Sequence, residues 1–179
     1  ETAALAEAAD PASNVVLVPA FTGLGAPHWK PEARAALFNM TRDRGKAEIV
    51  LAALEAVSLQ TDDLLRAIND DMAQAGLSVP RRLRVDGGMV ANDWFVQNLA
   101  DLCACPIDRP EVIETTAAGA AMLAMVKLGW FDSLADFAAG WRPDAVFEPS
   151  MPENQRAHKQ RVWQVALERV LRASEPSSI

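Results

Sequence analysis

At 179 residues, half of them apolar and 23% charged, the chain has the composition of a soluble globular protein large enough for a real core. A net charge of -7 without any basic run argues against a nucleic-acid surface, and no apolar run is long enough to span a bilayer or to read as a signal peptide. Cys103 and Cys105 lie one residue apart, poor geometry for a mutual disulfide and too few for zinc, so reduced thiols in a cytoplasmic protein are expected, with no metal site.

The chain opens at Glu1 on what reads as a helix already under way, so a piece of something larger is expected. Glu1 to Asp10 is alanine-rich and stops at Pro11. Val15-Val16-Leu17-Val18 is a continuous apolar run ending at Pro19, the pattern of a strand buried on both faces. Phe21-Thr22-Gly23-Leu24-Gly25-Ala26-Pro27-His28-Trp29 packs two glycines, a proline and two aromatics into nine residues, which predicts a rigid, specially shaped loop just after a strand. No carboxylate or nucleophile neighbours His28 in sequence, so a hydrogen-bonded or exposed side chain is expected there rather than a catalytic base.

Residues 35–39 predict a short strand, 41–45 a turn, and Lys46 to about Asp70 a long amphipathic helix. Ile49, Val50, Ala53, Leu54, Val57, Leu64, Leu65 and Ile68 supply its apolar face. Glu48, Glu55, Asp62 and Asp63 are expected on a solvated or capping face, and the exposed helix could serve an interface between copies of the chain. Beyond Gly76 and Pro80, Leu83-Arg84-Val85 alternates as a strand entering a core and runs into Asp86-Gly87-Gly88. Asn92 is a plausible N-cap for a helix carrying Trp94, Phe95, Val96 and Leu99 to about Cys103. A strand feeding a glycine turn and a helix start offers unpaired N–H groups to phosphate or another polar ligand group.

Pro106 to Pro110 is bracketed by prolines, so a strand there should be an edge strand. A threonine N-cap near Thr115 opens a helix to Leu128 whose small residues around Gly119 predict tight packing. Trp130 to Trp141 reads as a short amphipathic segment with a turn, Glu153 to Arg172 as a last helix, and 173–179 as a polar, frayed tail. Without an internal repeat or linker, residues 1–179 are expected to form one domain. Alternating strands and helices indicate an α/β fold, and neither a phosphate-loop motif, a dinucleotide fingerprint, a nucleophile elbow nor a metal cluster is present.

Three blocks in order carry a resemblance: residues 18–29, residues 84–92, and Arg109-Pro110-Glu111 through Thr116-Ala117-Ala118-Gly119-Ala120-Ala121. Together they resemble the C-terminal half of the FGGY carbohydrate kinases of the actin-like ATPase superfamily, from about Asn14 to Leu171. The Gly-Leu-Gly-Ala-Pro-x-Trp loop is similar to that of the glycerol-phosphorylating branch rather than to the sugar kinases. The resemblance implies an actin-like (ribonuclease H-like) lobe, a central mixed sheet flanked by helices, using ATP/ADP with Mg²⁺. It implies that the backbone at Gly88 faces the adenosine end of the nucleotide, that the Asn92 side chain hydrogen-bonds to it, and that Gly87 shapes the turn. Thr22, Gly23 and Gly25 would form a cleft or junction loop. No catalytic residue is expected in this chain, because the family's polyol-binding residues, its aspartate base and its phosphate turns lie upstream, in an N-terminal lobe that would be the partner of this one. The implied reaction is glycerol plus ATP giving glycerol 3-phosphate plus ADP, not carried out by this chain alone. A kinase for another polyol or sugar, such as xylulose, and a non-catalytic actin-like nucleotide-binding module stay open. Two departures stand out: Asn39 where the family often has glycine, and Met89 where alanine is usual, which would narrow the pocket.

Overall fold

The computed structural model describes residues 1–139 and 142–174. The elements in order are α1 (Thr2–Ala8), β1 (Val16–Val18), β2 (Ala36–Phe38), α2 (Lys46–Gln74), β3 (Leu83–Arg84), a 3-10 turn (Gly88–Ala91), α3 (Asp93–Cys103), β4 (Ile107–Pro110), α4 (Thr115–Lys127), α5 (Leu134–Ala139), β5 (Pro143–Phe147) and α6 (Glu153–Ala173). Trp141 and the tail residues 175–179 lie outside the described residues.

The fold is α/β, with its strands in two small sheets flanked by helices. β1 and β2 pair antiparallel, Val16 opposite Phe38. β3, β4 and β5 make a mixed sheet in that order, parallel between β3 and β4 and antiparallel between β4 and β5. The proline-bracketed strand is thus the middle strand, not an edge. Pro106 lies before β4 and contributes only its carbonyl, which accepts from Leu83 N at 3.0 Å. Pro110 ends the strand at a register shift against β5, so neither ring costs the ladder a needed donor.

Helix α2 is the spine of the chain. Leu51 and Leu54 join Ala6, Ala9, Val90, Phe95, Val96, Leu99 and Ile107 in one core cluster. Ala56 and Leu59 join Val16, Val18, Leu102, Trp163, Leu167 and Val170 in the other. Between Leu51 and Asp63 the helix is enclosed by α1, α3, β1 and α6, and of the four carboxylates expected on a solvated or capping face, Glu48 caps the helix start while none is solvated. Glu48, Glu55, Asp62 and Asp63 are all buried, whereas Ile49, Leu64 and Ile68 are exposed. Glu48, Glu55 and Asp62 recur every seven residues, two helical turns, and so share one stripe. Each finds a partner: Lys159 Nζ donates to Glu55 Oε1 at 2.6 Å, and Arg66 Nη2 and Gln160 Nε2 donate to Asp62 Oδ2 at 2.9 Å each. Trp163 Nε1 and Gln164 Nε2 donate to the two oxygens of Asp63 at 2.6 and 2.7 Å. Residues 159, 160, 163 and 164 form one face of α6, so a polar ladder couples the two helices. Satisfied in this way, the carboxylates act as structural ties.

Where α2 begins, Glu48 accepts from Gly45 N at 2.7 Å and from Asp10 N at 3.2 Å, and Arg44 pairs with Asp10. The Arg44 hydrogen bond holds the Asp10 carboxyl below its ordinary 3.8, and the backbone N–H of Gly45 holds Glu48 below 4.5. Burial pushes Asp62 the other way. A carboxylate depressed in the fold stabilises it above its unfolded value and loses that contribution as pH falls through the folded value. A raised carboxylate does the reverse. Acidification from pH 5 to pH 3 is therefore expected to weaken the α1–α2 junction while relieving Asp62. In thermal melts over that range, Glu48→Gln should flatten the loss of stability and Asp62→Asn should steepen it. Equal slopes in both variants would remove this assignment.

Candidate functional site

Strand β3 delivers the chain to Asp86 and the glycine pair. Val85 N donates to Asp108 O at 3.1 Å, extending the parallel ladder by one residue before the backbone turns away. Gly87 takes φ +87°, a conformation costly for any residue with a Cβ. Its N–H donates to Ile113 O at 2.8 Å, and Thr115 Oγ1 donates to Asp86 Oδ2, which ties the turn to the start of α4. Gly88 then begins the 3-10 turn, with no atom within 4 Å of where a Cβ would stand. It is a backbone edge held from one side and open on the other.

Asn92 caps α3: its Oδ1 accepts from Phe95 N at 3.1 Å. Its Nδ2 lies 3.4 Å from Thr2 Oγ1, a long contact on a half-buried side chain. The amide therefore spends acceptor capacity on its own helix and turns its donor side toward Thr2 of α1. Four residues of 3-10 turn separate Gly87 from Asn92, so the glycine pair does not itself sit at the α-helix N-terminus.

Beyond the turn, α4 departs from expectation. Glu114, not a threonine, is its N-cap, and none of its residues is buried. Gly119 meets no atom within 4 Å of a Cβ, so its smallness is not used for packing among the described residues. With Thr115 and Met122 it lines a cavity of about 610 Å³ that also touches Pro110, Val112 and Phe131. Thr115 is shared between this cavity and the glycine turn.

Thr22, Gly23 and Gly25 lie on a loop in the other core cluster, through Ala20 and Leu24, and are not brought against Gly88 and Asn92. Leu24 and Lys30 exchange backbone hydrogen bonds at 2.9 and 2.8 Å, folding the loop back on itself. His28 Nε2 stands 3.5 Å from Asp63 Oδ2, so this histidine anchors the loop to α2, and Phe21 and Trp29 stay about 70% exposed (72% and 73%). Asn39 has φ +62°, the left-handed region that asparagine tolerates best after glycine, and its Nδ2 donates to Asn14 O at 2.9 Å. That accounts for asparagine where the resemblance has glycine. Burial pushes the Cys103 and Cys105 thiols up, away from a reactive thiolate. Among the described residues no group of three or more His, Cys, Asp or Glu side chains could hold a metal, and no helix is long and apolar enough to cross a membrane.

The model of the C-terminal domain of the FGGY family of carbohydrate kinases matches residues 1–128. The chain belongs to that family. The glycerol kinase of Rhizobium meliloti (strain 1021) is 52% identical over 174 residues, covering 97% of this chain and 35% of that protein. The glycerol kinase of Rhizobium rhizogenes is 53% identical over 173 residues, with 97% and 34% covered. This FGGY chain thus spans about a third of the length of the curated relatives it matches. Among solved structures, Plasmodium falciparum glycerol kinase with ADP superposes with a TM-score of 0.80 at 34% identity, covering 95% of this chain and 33% of that one. Gluconate kinase from Lactobacillus acidophilus gives 0.75 at 22% identity over 99% of this chain and 34% of its own, a likeness of fold alone. The fold is the actin-like ATPase fold shared by these FGGY kinases.

Proposed function

We propose that this FGGY chain is the nucleotide-side lobe of an ATP-dependent glycerol kinase, with Gly87, Gly88 and Asn92 at the adenosine end of the ATP/ADP site. The observation that carries this reading is the open edge at Gly88: the turn is tethered from β3 and α4, yet the space a side chain would fill is left clear. A base and ribose can lie flat against such an edge, and the amide donor of Asn92 suits a nucleotide acceptor. Met89, 42% exposed within the turn, is the large side chain that would narrow that space. ATP supplies the phosphoryl group, with Mg²⁺ carried on its phosphates.

Glycerol as the acceptor is favoured by the identity of about half to glycerol kinases of Rhizobium. The polyol site, the base that takes its proton and the phosphate turns belong in this proposal to an N-terminal lobe meeting the loop of Thr22, Gly23 and Gly25, in a cytoplasmic enzyme. This stretch by itself is then expected to give no glycerol-dependent ATP turnover. Its nucleotide site is tested by titrating the chain with Mg-ADP and following the fluorescence of its tryptophans, of which Trp94 lies two residues from Asn92. Saturable binding is expected, weakened at least about tenfold in Gly88→Val, whose branched side chain occupies the open edge. A Gly88→Val chain that bound as tightly as the parent would move the site elsewhere.

A further inference from the structure

We propose that Arg109 is a positioning residue for the nucleotide turn, setting the place of Asn92 without touching the ligand; this rests on the reading of Gly88 and Asn92 given above. Arg109 sits near the end of β4, with its side chain only 15% exposed. One atom, Nη1, donates both to Val90 O at 3.0 Å and to Asp93 Oδ1 at 2.5 Å. Val90 belongs to the 3-10 turn and Asp93 opens α3, so these two residues bracket Asn92 in the chain. The distance between the turn and the helix start is thereby fixed from a single point on the sheet. The guanidinium is itself held: Nη2 lies 3.6 Å from Asp144 Oδ2 on β5, and Cζ stands 5.2 Å from the centre of the Phe147 ring.

The turn needs such a restraint. A 3-10 segment of four residues has poor hydrogen-bond geometry, and two adjacent glycines leave the backbone unusually free. Its internal bonds, Val90 N to Gly87 O and Asn92 N to Met89 O, are both 3.2 Å long. Charge-assisted bonds from a largely buried guanidinium are stronger than these. Arg109 thus converts the rigidity of the middle strand into a fixed spacing between Gly88 and Asn92, the two contacts proposed for the nucleotide.

The test compares Arg109→Met, Arg109→Lys and Asp93→Ala with Leu167→Ala, a destabilising change in the other core cluster. Arg109→Met is expected to raise the Mg-ADP Kd about tenfold and to speed hydrogen exchange at the Val90 and Asn92 amides. Arg109→Lys, which keeps the charge but loses the planar fork shared with Asp144 and the stacking on Phe147, should recover only part of the loss, with a Kd between those of Arg109→Met and the parent. Asp93→Ala, at a side chain 75% exposed and safe for folding, should give a smaller rise in Kd with the same exchange signature. Leu167→Ala should lower stability and leave the Kd unchanged, which separates positioning from general loosening. Parent-like Kd and exchange in Arg109→Met, or in Asp93→Ala where the methionine variant does not fold, overturn the proposal. If the parent chain itself shows no saturable Mg-ADP binding, the nucleotide reading has failed. The exchange at Val90 and Asn92 then decides alone: faster in the variants upholds Arg109 as the turn's restraint, and unchanged removes it.

Discussion

Replacing Trp163 by alanine is expected to cost the chain about 5 kcal/mol of stability, and replacing it by phenylalanine about 2 kcal/mol. Trp163 is 1% exposed and sits where α6, β1 and α2 converge. Truncation to alanine opens a cavity the size of an indole in a cluster whose backbone positions are fixed by two helices and a sheet. It also removes the 2.6 Å hydrogen bond into Asp63, a carboxylate 8% exposed. Asp63 keeps Gln164 and the more distant His28, so its charge is weakened in support rather than abandoned. Phenylalanine fills most of the space and removes only the donor, which isolates the polar share. Urea unfolding followed by circular dichroism at pH 7 reads both values. A loss below about 2 kcal/mol for the alanine variant would contradict the placement of Trp163 at the centre of this core.

The elements that could be read from the sequence are those whose signals are local. The periodic apolar faces of α3 and α6 and the apolar runs of β1 and β3 depend on near neighbours in the chain, and the structure has them within a residue or two. The Asn92 cap is equally local, since its acceptor and the Phe95 N–H are three residues apart. What escaped reading is set by pairing between distant segments. β5 reads weakly because Pro143–Phe147 is short and proline-led, and it becomes a strand by pairing with β4. The rank of β4 as middle strand follows from the same event. The carboxylate stripe of α2 has the look of a solvated face until α6, about a hundred residues later, supplies Lys159, Gln160, Trp163 and Gln164.

The candidate site divides along the same line. Gly87 and Gly88 announce a turn by composition, and one of them does carry the positive φ that only glycine takes cheaply. Arg109 stands in one of the blocks that carry the resemblance, but nothing local points to its part in the turn. An arginine beside a proline on a short strand reads as surface, and its part emerges only when Val90, Asp93, Asp144 and Phe147 gather around it. The heptad recurrence of Glu48, Glu55 and Asp62 was the one available hint that α2 is enclosed on its polar side as well.

Gly23→Ala and Gly25→Ala are expected to behave oppositely, although the two glycines are two residues apart in one loop. A Cβ on Gly23 would stand 2.6 Å from Pro31 Cα and 2.8 Å from Pro31 O, and the residue has φ +95°. Backbone atoms cannot swing aside as a side chain can, so clash and strain add, and a loss of about 3 kcal/mol or more is expected. At Gly25 nothing lies within 4 Å of a Cβ and φ is not in the left-handed region, so alanine there should change stability by no more than about 0.5 kcal/mol. Gly23 is thus a glycine the fold demands. The fold makes no such demand at Gly25, on an exposed loop between the bare aromatic faces of Phe21 and Trp29. In the proposed kinase that loop meets the N-terminal lobe, and close approach of another backbone is what would exclude a methyl group at Gly25. Urea melts of the two variants test the first half of this contrast. Glycerol-dependent ADP formation by the longer kinase carrying Gly25→Ala tests the second: a fall of about tenfold at unchanged stability assigns the glycine to the junction. Parent-like turnover would instead make Gly25 incidental and return the loop's role to Gly23 and its own internal shape.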